Sequence, residues 1–308
     1  MSLPRMLFCG PSGWSYTHWN GIVFPRLKPR GFHPLEDLSK YFDAVEINTS
    51  FYQPLRPELA SVWSKKVERN PKFLFTVKLG RRFTHERSLQ AAEVARFKEG
   101  LWPFERARKL GCVLMQFPWA FRYTEENRQF LIALRRAFHE FPLVAEMRHA
   151  SWQHEEALGT LIDYHVGFVN IDQAPYTKAM PPSALLTSQI GYVRLHGRNP
   201  EHWKREFSYS GNLPAAHDYL YSRQELSEWK KRIDQIQQHA AATFVFANND
   251  AGGKSVVNAL ELSQMLGDDR RQAPVTLIEQ FPQELAAFRS EMPVQDALFA
   301  RYDNNRAA

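Results

Sequence analysis

Eight short apolar runs recur along this chain at fairly regular intervals, with stretches of helical periodicity between most of them. The runs are Met6–Gly10, Ala44–Asn48, Phe73–Lys78, Cys112–Phe117, Leu143–Arg148, Gly167–Asp172, Tyr192–Gly197 and Thr243–Asn248. Among the segments between them, Glu225–Ile236 sets Leu226, Trp229, Ile233 and Ile236 at spacings of three and four, which makes one apolar helix face. Glu126–Phe141 does the same with Phe130, Leu131, Leu134, Ala137, Phe138 and Phe141. Pro34–Phe42, Pro57–Glu68, Arg87–Leu110, Ser151–Tyr164 and Ser255–Leu266 read as further helices. Strands that alternate with helices imply a parallel sheet, because each crossover returns the chain to the same end. Eight repeats favour closure into a TIM-like (β/α)8 barrel over an open doubly wound sheet.

Two connections break the pattern. No helix is expected between the sixth and seventh strands, where Gln173–Ile190 carries Pro175, Pro181 and Pro182. After strand seven, Arg198–Tyr221 reads as a long loop with Trp203, Tyr209, Gly211 and Pro214, and long loops in a compact barrel are often functional. The expected organisation is one barrel domain over residues 1–308, with 268–308 as a C-terminal extension packing on it. Within that extension Pro282–Glu291 reads as a helix, and Asp303–Ala308 as fraying.

The 44% hydrophobic and 23% charged composition is that of an ordinary globular protein. A net charge of +6 favours anionic ligands mildly, and without a block of like charges it permits nucleic-acid binding without indicating it. Cys9 and Cys112 are too few for a disulfide framework or a zinc motif. No signal peptide or membrane-length apolar run is evident, so a reducing cytoplasm is the expected compartment and a membrane partner is not expected. Oligomeric state stays open.

Four of the apolar runs end in polar residues spaced two apart: Glu46 and Asn48, Glu146 and Arg148, Asn170 and Asp172, Arg194 and His196. In a strand, residues i and i+2 share a face. Buried charges are costly unless paired or bound, so the pairs point to one polar site at the C-terminal ends of barrel strands, where such barrels keep their active sites.

Phrases in the same order as these strands carry a family resemblance. GPSGWSYTHWNGIVFP, FDAVEINTSFYQPL, FTVK with RRFTHE, LMQFPWAF, VAEMRHASW, VRLHGR and FANND resemble the YecE-like proteins, a family of unknown function, over about Gly10 to Leu260. The resemblance implies a TIM-like barrel and no particular reaction. It departs after strand eight, where the loop reads Asp250-Ala-Gly-Gly-Lys254-Ser255.

Glu46, Glu146, Asp172 and His196 are the catalytic candidates, because two carboxyls can divide into acid and base and histidine titrates near neutrality. The competing reading of the acids is a salt-bridge network with Arg148 and Arg194 that stiffens the barrel. Arg148, Arg194 and Lys78 are expected to hold negative charge, with Asn48, Gln116, Asp172, Asn248 and Asn249 orienting substrate and Trp14, Tyr52 and Trp152 flanking it. A desolvated lysine can also form a Schiff base, but pairing of Lys78 with Glu46, or with a substrate anion, is the favoured reading. His149 is expected to support its loop and His85 to reach the mouth beside Lys78. Arg198, Gly252, Gly253 and Lys254 form a candidate anion site ahead of a helix N-terminus. The cofactor stays open: Mn, Mg or Zn is a minority reading, since the arginines would repel a dication and no HxH, HxxxH or HExxH spacing occurs. The expected function is acid/base catalysis, of hydrolase or isomerase type, on a small polyhydroxylated or phosphorylated substrate. The alternative is a non-catalytic protein that binds a nucleotide, a nucleic-acid end or another anion.

Overall fold

In the computed structural model, residues 6–199 and 217–290 are described. Trp203, Tyr209, Gly211 and Pro214 of the loop after strand seven, and the chain past Ser290, lie outside the described residues. All eight expected strands form: β1 Met6–Pro11, β2 Ala44–Ile47, β3 Leu74–Lys78, β4 Leu110–Gln116, β5 Leu143–Glu146, β6 Val166–Asp172, β7 Ile190–Leu195 and β8 Ala242–Ala247. The pairings recorded between them are all parallel, in the order β1-β8-β7-β6-β5-β4-β3-β2. The remaining seam, between β1 and β2, is joined by a parallel bridge from Ser12 to Glu46 and by the Gly13 N–H donating to the Glu46 carbonyl at 2.9 Å. Gly10 permits this approach, because a Cβ there would stand 1.9 Å from the Ala44 carbonyl oxygen. The chain therefore forms a nearly closed (β/α)8-type barrel.

The helices are α1 Pro34–Leu38, α2 Pro57–Lys66, α3 Arg81–Thr84, α4 Ala91–Arg106, α5 Glu125–Ala137, α6 Glu155–Asp163, α7 Arg223–Gln237, α8 Lys254–Met265 and α9 Val275–Gln280. Their starts follow local chemistry. The Thr124 side chain caps α5, and Ser222 with Glu225 forms a capping box on α7. The face of α7 read from the sequence is the one buried: Leu226, Trp229, Ile233 and Ile236 pack with Cys9, Val193, Leu195 and Val245 on the outside of β1, β7 and β8. No helix forms in 173–189, as the prolines there required.

The tail differs from expectation. Its helix is Val275–Gln280, while 282–290 forms turns and a bridge. Pro282 accounts for this, since a proline disfavours helical geometry in the residue before it; Phe281 sits at φ −125°, ψ 59° and ends α9. No helix among the described residues is long and apolar enough to cross a membrane.

Candidate active site at the barrel mouth

Parallel strands in register point neighbouring residues to the same side, so one contact inside the barrel fixes the facing of a whole row. The Tyr192 hydroxyl on β7 lies 2.9 Å from Thr76 Oγ1 on β3, across the barrel, and donates to Glu46 Oε2 on β2 at 2.6 Å. Tyr192, Arg194 and His196 therefore face inward, as do Thr76 and Lys78, and Glu46 and Asn48. Glu146 on β5 joins them, paired in register with Gln116 on β4.

At the centre stands Arg194, almost fully buried. Its guanidinium bridges two carboxylates, Nη2 to Glu46 Oε1 at 2.6 Å and Nη1 to Glu146 Oε2 at 2.5 Å, and Nη1 also donates to Gln116 Oε1 at 3.2 Å. Arg148 covers the other side of Glu146, with Nε 2.6 Å from Oε1, and donates to Gln173 Oε1 at 2.8 Å. His196 Nε2 lies 3.3 Å from Glu146 Oε1, and the Asn248 amide lies 3.0 Å from its Nδ1. Arg148 Nη2 also approaches His196 Nε2, at 3.2 Å. Ser12 donates to Glu46 and accepts from the Asn48 amide at 2.8 Å. Asn48 Oδ1 is buried with no partner among the described residues.

These contacts set the ionisation states. Burial pushes the Glu146 carboxyl up, but Arg148 and Arg194 more than reverse this and hold it well below the usual carboxylate range. Burial and the charge of Arg148 hold His196 well below the usual histidine range, so it is neutral. Two carboxylates and two guanidiniums thus cancel, and Lys78 is the remaining cation. It makes no ion pair among the described residues, since Glu46 is engaged by Ser12, Tyr192 and Arg194. Instead its Nζ stands 4.0 Å above the Phe51 ring. Burial, and then the charge of Arg194, lower its pKa from 10.5 to about 7. The expected Lys78–Glu46 pair therefore does not form, because hydrogen-bond donors nearer the carboxylate already occupy it.

The fourth polar pair faces the other way. In register, Ile171 lies beside Arg194 and Asp172 beside Leu195, so Ile171 points inward and Asp172 towards α7. There Asp172 accepts from Arg198 at 2.7, 2.9 and 3.1 Å and from the Trp229 indole. Asn170, on the same outer face, donates to the carbonyls of Leu185 and Tyr192 and accepts from Ser183 Oγ and the Leu185 N–H. It anchors the helix-free connection between β6 and β7.

Other expected members also lie elsewhere. Trp14 stands edge-on to Trp63 of α2 with ring centroids 4.8 Å apart, in the helix layer. Trp152 is fully buried, stacked on Phe121 and donating to its carbonyl at 2.8 Å. Tyr52 is 69% exposed on the rim. Asn249 points to the back, donating to the Tyr219 carbonyl and Asn258 Oδ1. The anion cluster does not assemble. Arg198 is held by Asp172 and by Glu225 at 3.0 Å, Lys254 pairs with Asp218, and a Cβ on Gly253 would meet Val23, Ile22 and Leu277. Gly252 is open on the surface beside it. His149 accepts from the Ser151 N–H in its own loop. His85 packs against Phe51 with centroids 5.1 Å apart and is lowered to about 4 by burial and the charge of Lys78.

Ser12, Tyr192 and Gln173 belong to the site without having been singled out. Tyr192 lies two before Arg194, and Gln173 two after Ile171, so strand alternation carried the signal for both. Ser12 had none beyond following a strand. Among the described residues no group of three or more His, Cys, Asp or Glu is suited to hold a metal ion.

Residues 8–284 match a protein family described as of unknown function, DUF72. The chain belongs to the DUF72 family. The motifs read above as YecE-like fall within this stretch. The UPF0759 protein YunF of Bacillus subtilis is 28% identical over 277 residues, covering 85% of this chain and 95% of that protein. A DUF72 crystal structure from Thermotoga maritima superposes with TM-score 0.72 at 29% identity, covering 86% of this chain and 100% of that one. One from Enterococcus faecalis gives 0.73 at 23% identity, covering 86% and 96%, which supports the fold alone.

Proposed function

We propose that the mouth is an acid/base active site for a small polyhydroxylated or phosphorylated molecule, of isomerase rather than hydrolase type. The observation that carries this reading is the engagement of both Glu46 and Glu146 by Arg194. Hydrolysis by paired carboxyls needs one of them protonated as general acid, and two carboxylates locked on one guanidinium cannot divide that way. Proton movement falls instead to Lys78 and to neutral His196, whose free bases can take a proton from carbon or hydroxyl. Asn48, Gln116, Asn248 and Arg148 stand beside them as hydrogen-bonding groups for hydroxyls or an anionic substituent.

The test is deuterium wash-in. Aldoses, ketoses and their phosphates are incubated with the protein in D2O and followed by NMR. At least one should take up deuterium on the carbon next to its carbonyl, and His196→Gln should slow this by about 100-fold. Protonation-independent hydrolysis products, or no exchange across the panel, would count against the reading.

A further inference from the structure

Lys78 is placed unlike the other cations of the mouth. It ends β3 on the inward face, two residues after Thr76, and its backbone is fixed by the Ser50 hydroxyl donating to its carbonyl at 2.6 Å. Arg148 and Arg194 use the two acids that might neutralise it. One wall beside its amine is the Phe51 ring, and the buried Oδ1 of Asn48, just after the neighbouring strand β2, is an acceptor without a donor among the described residues. We propose that the Lys78 amine is a nucleophile that captures a small hydroxy-aldehyde or hydroxy-ketone as an imine, with a substrate hydroxyl donating to Asn48.

This rests on the mouth being the reactive site and names its substrate class. A lysine whose counter-ions are taken, and whose pKa burial lowers to about 7, is substantially neutral at physiological pH. The nitrogen lone pair forms a C–N bond to the carbonyl carbon while the C=O π pair moves to oxygen, which takes up a proton. The first adduct loses one nitrogen proton to a base, the carbinolamine hydroxyl leaves with a proton as water as C=N forms, and the resulting iminium gives its remaining N–H proton to the base to leave the imine. The net change is carbonyl plus amine to imine plus water, with no oxidant or reductant. An imine acidifies the adjacent C–H, which joins this step to the proton transfer proposed above.

The experiment traps the imine. The full chain is incubated at pH 7 with glycolaldehyde or D-glyceraldehyde 3-phosphate and sodium cyanoborohydride, whose hydride reduces C=N to a stable secondary amine, and peptides are mapped by mass. Lys78 should be modified roughly tenfold or more faster than the exposed Lys65 and Lys72, and its rate should saturate with aldehyde concentration. Modification no faster than at those lysines, or a rate rising linearly without saturation, overturns the proposal. The wild-type comparison needs no variant to fold. Deuterium wash-in without trapping at Lys78 removes the imine and leaves the acid/base reading standing. Trapping without wash-in supports the imine and removes proton abstraction from carbon.

Discussion

Arg194 shows how a buried charge is made tolerable and what its loss would do. Replacing it by methionine leaves Glu46 and Glu146 without their shared partner, and breaking a buried ion pair from one side costs about 3–5 kcal/mol. Urea unfolding of Arg194→Met should show a loss of that order, and a change under about 1 kcal/mol would mean the carboxylates find other partners. Lys78 behaves in the opposite sense. Its folded pKa of about 7 lies below the ordinary 10.5, so from pH 7 to 10.5 the unfolded chain binds the extra proton. Stability therefore rises with pH through that window, and the cost of the charged amine is fully present below it. Lys78→Met should exceed the wild type in stability at pH 6, by an amount on the order of 3 kcal/mol, with the gap closing towards pH 10. A gap that is flat with pH would remove the unpaired lysine from the account.

At the level of the strand, alternation was legible and absolute facing was not. The spacing of Glu46 with Asn48, Glu146 with Arg148 and Arg194 with His196 correctly placed each pair on one face. It could not say which face, because a strand buried on both sides presents no solvent pattern to orient it. Asp172 is the consequence: it shares the spacing, but register with Leu195 turns it towards Arg198 and Trp229. Asp172→Asn weakens those charge-assisted bonds and should cost about 1–3 kcal/mol of stability in thermal or urea unfolding. The same variant should leave deuterium wash-in unchanged, and a loss of exchange at intact stability would return Asp172 to the mouth. The anion cluster failed for a related reason. Of the neighbours in sequence, Gly253 packs against Ile22, Val23 and Leu277 and Lys254 pairs with Asp218, so segments distant in sequence take both. At the β1–β2 seam, Gly10→Ala drives a methyl into the Ala44 carbonyl. Such overpacking costs about 1–3 kcal/mol, read as a lowered urea midpoint; an unchanged midpoint would mean the seam is loose.

For the whole molecule, eight strand–helix repeats were enough to read the barrel, because each helix can only cover a parallel sheet in one general way. The charge state of the mouth was not legible, since it emerges when four strands bring their charged inward residues together. Glu46, Glu146, Arg148 and Arg194 close on one another, and Lys78 is left over as the cation without a counter-ion among the described residues. The chemistry proposed for the protein depends on that unpaired cation. It is tested most directly by titrating lysine side chains by NMR in protein labelled at the lysine amines, with Lys78→Arg to assign the resonance. One lysine is expected to titrate near pH 7 and to be absent from the variant. A Lys78 resonance titrating at or above 10.5 would show a paired, charged lysine and contradict the account.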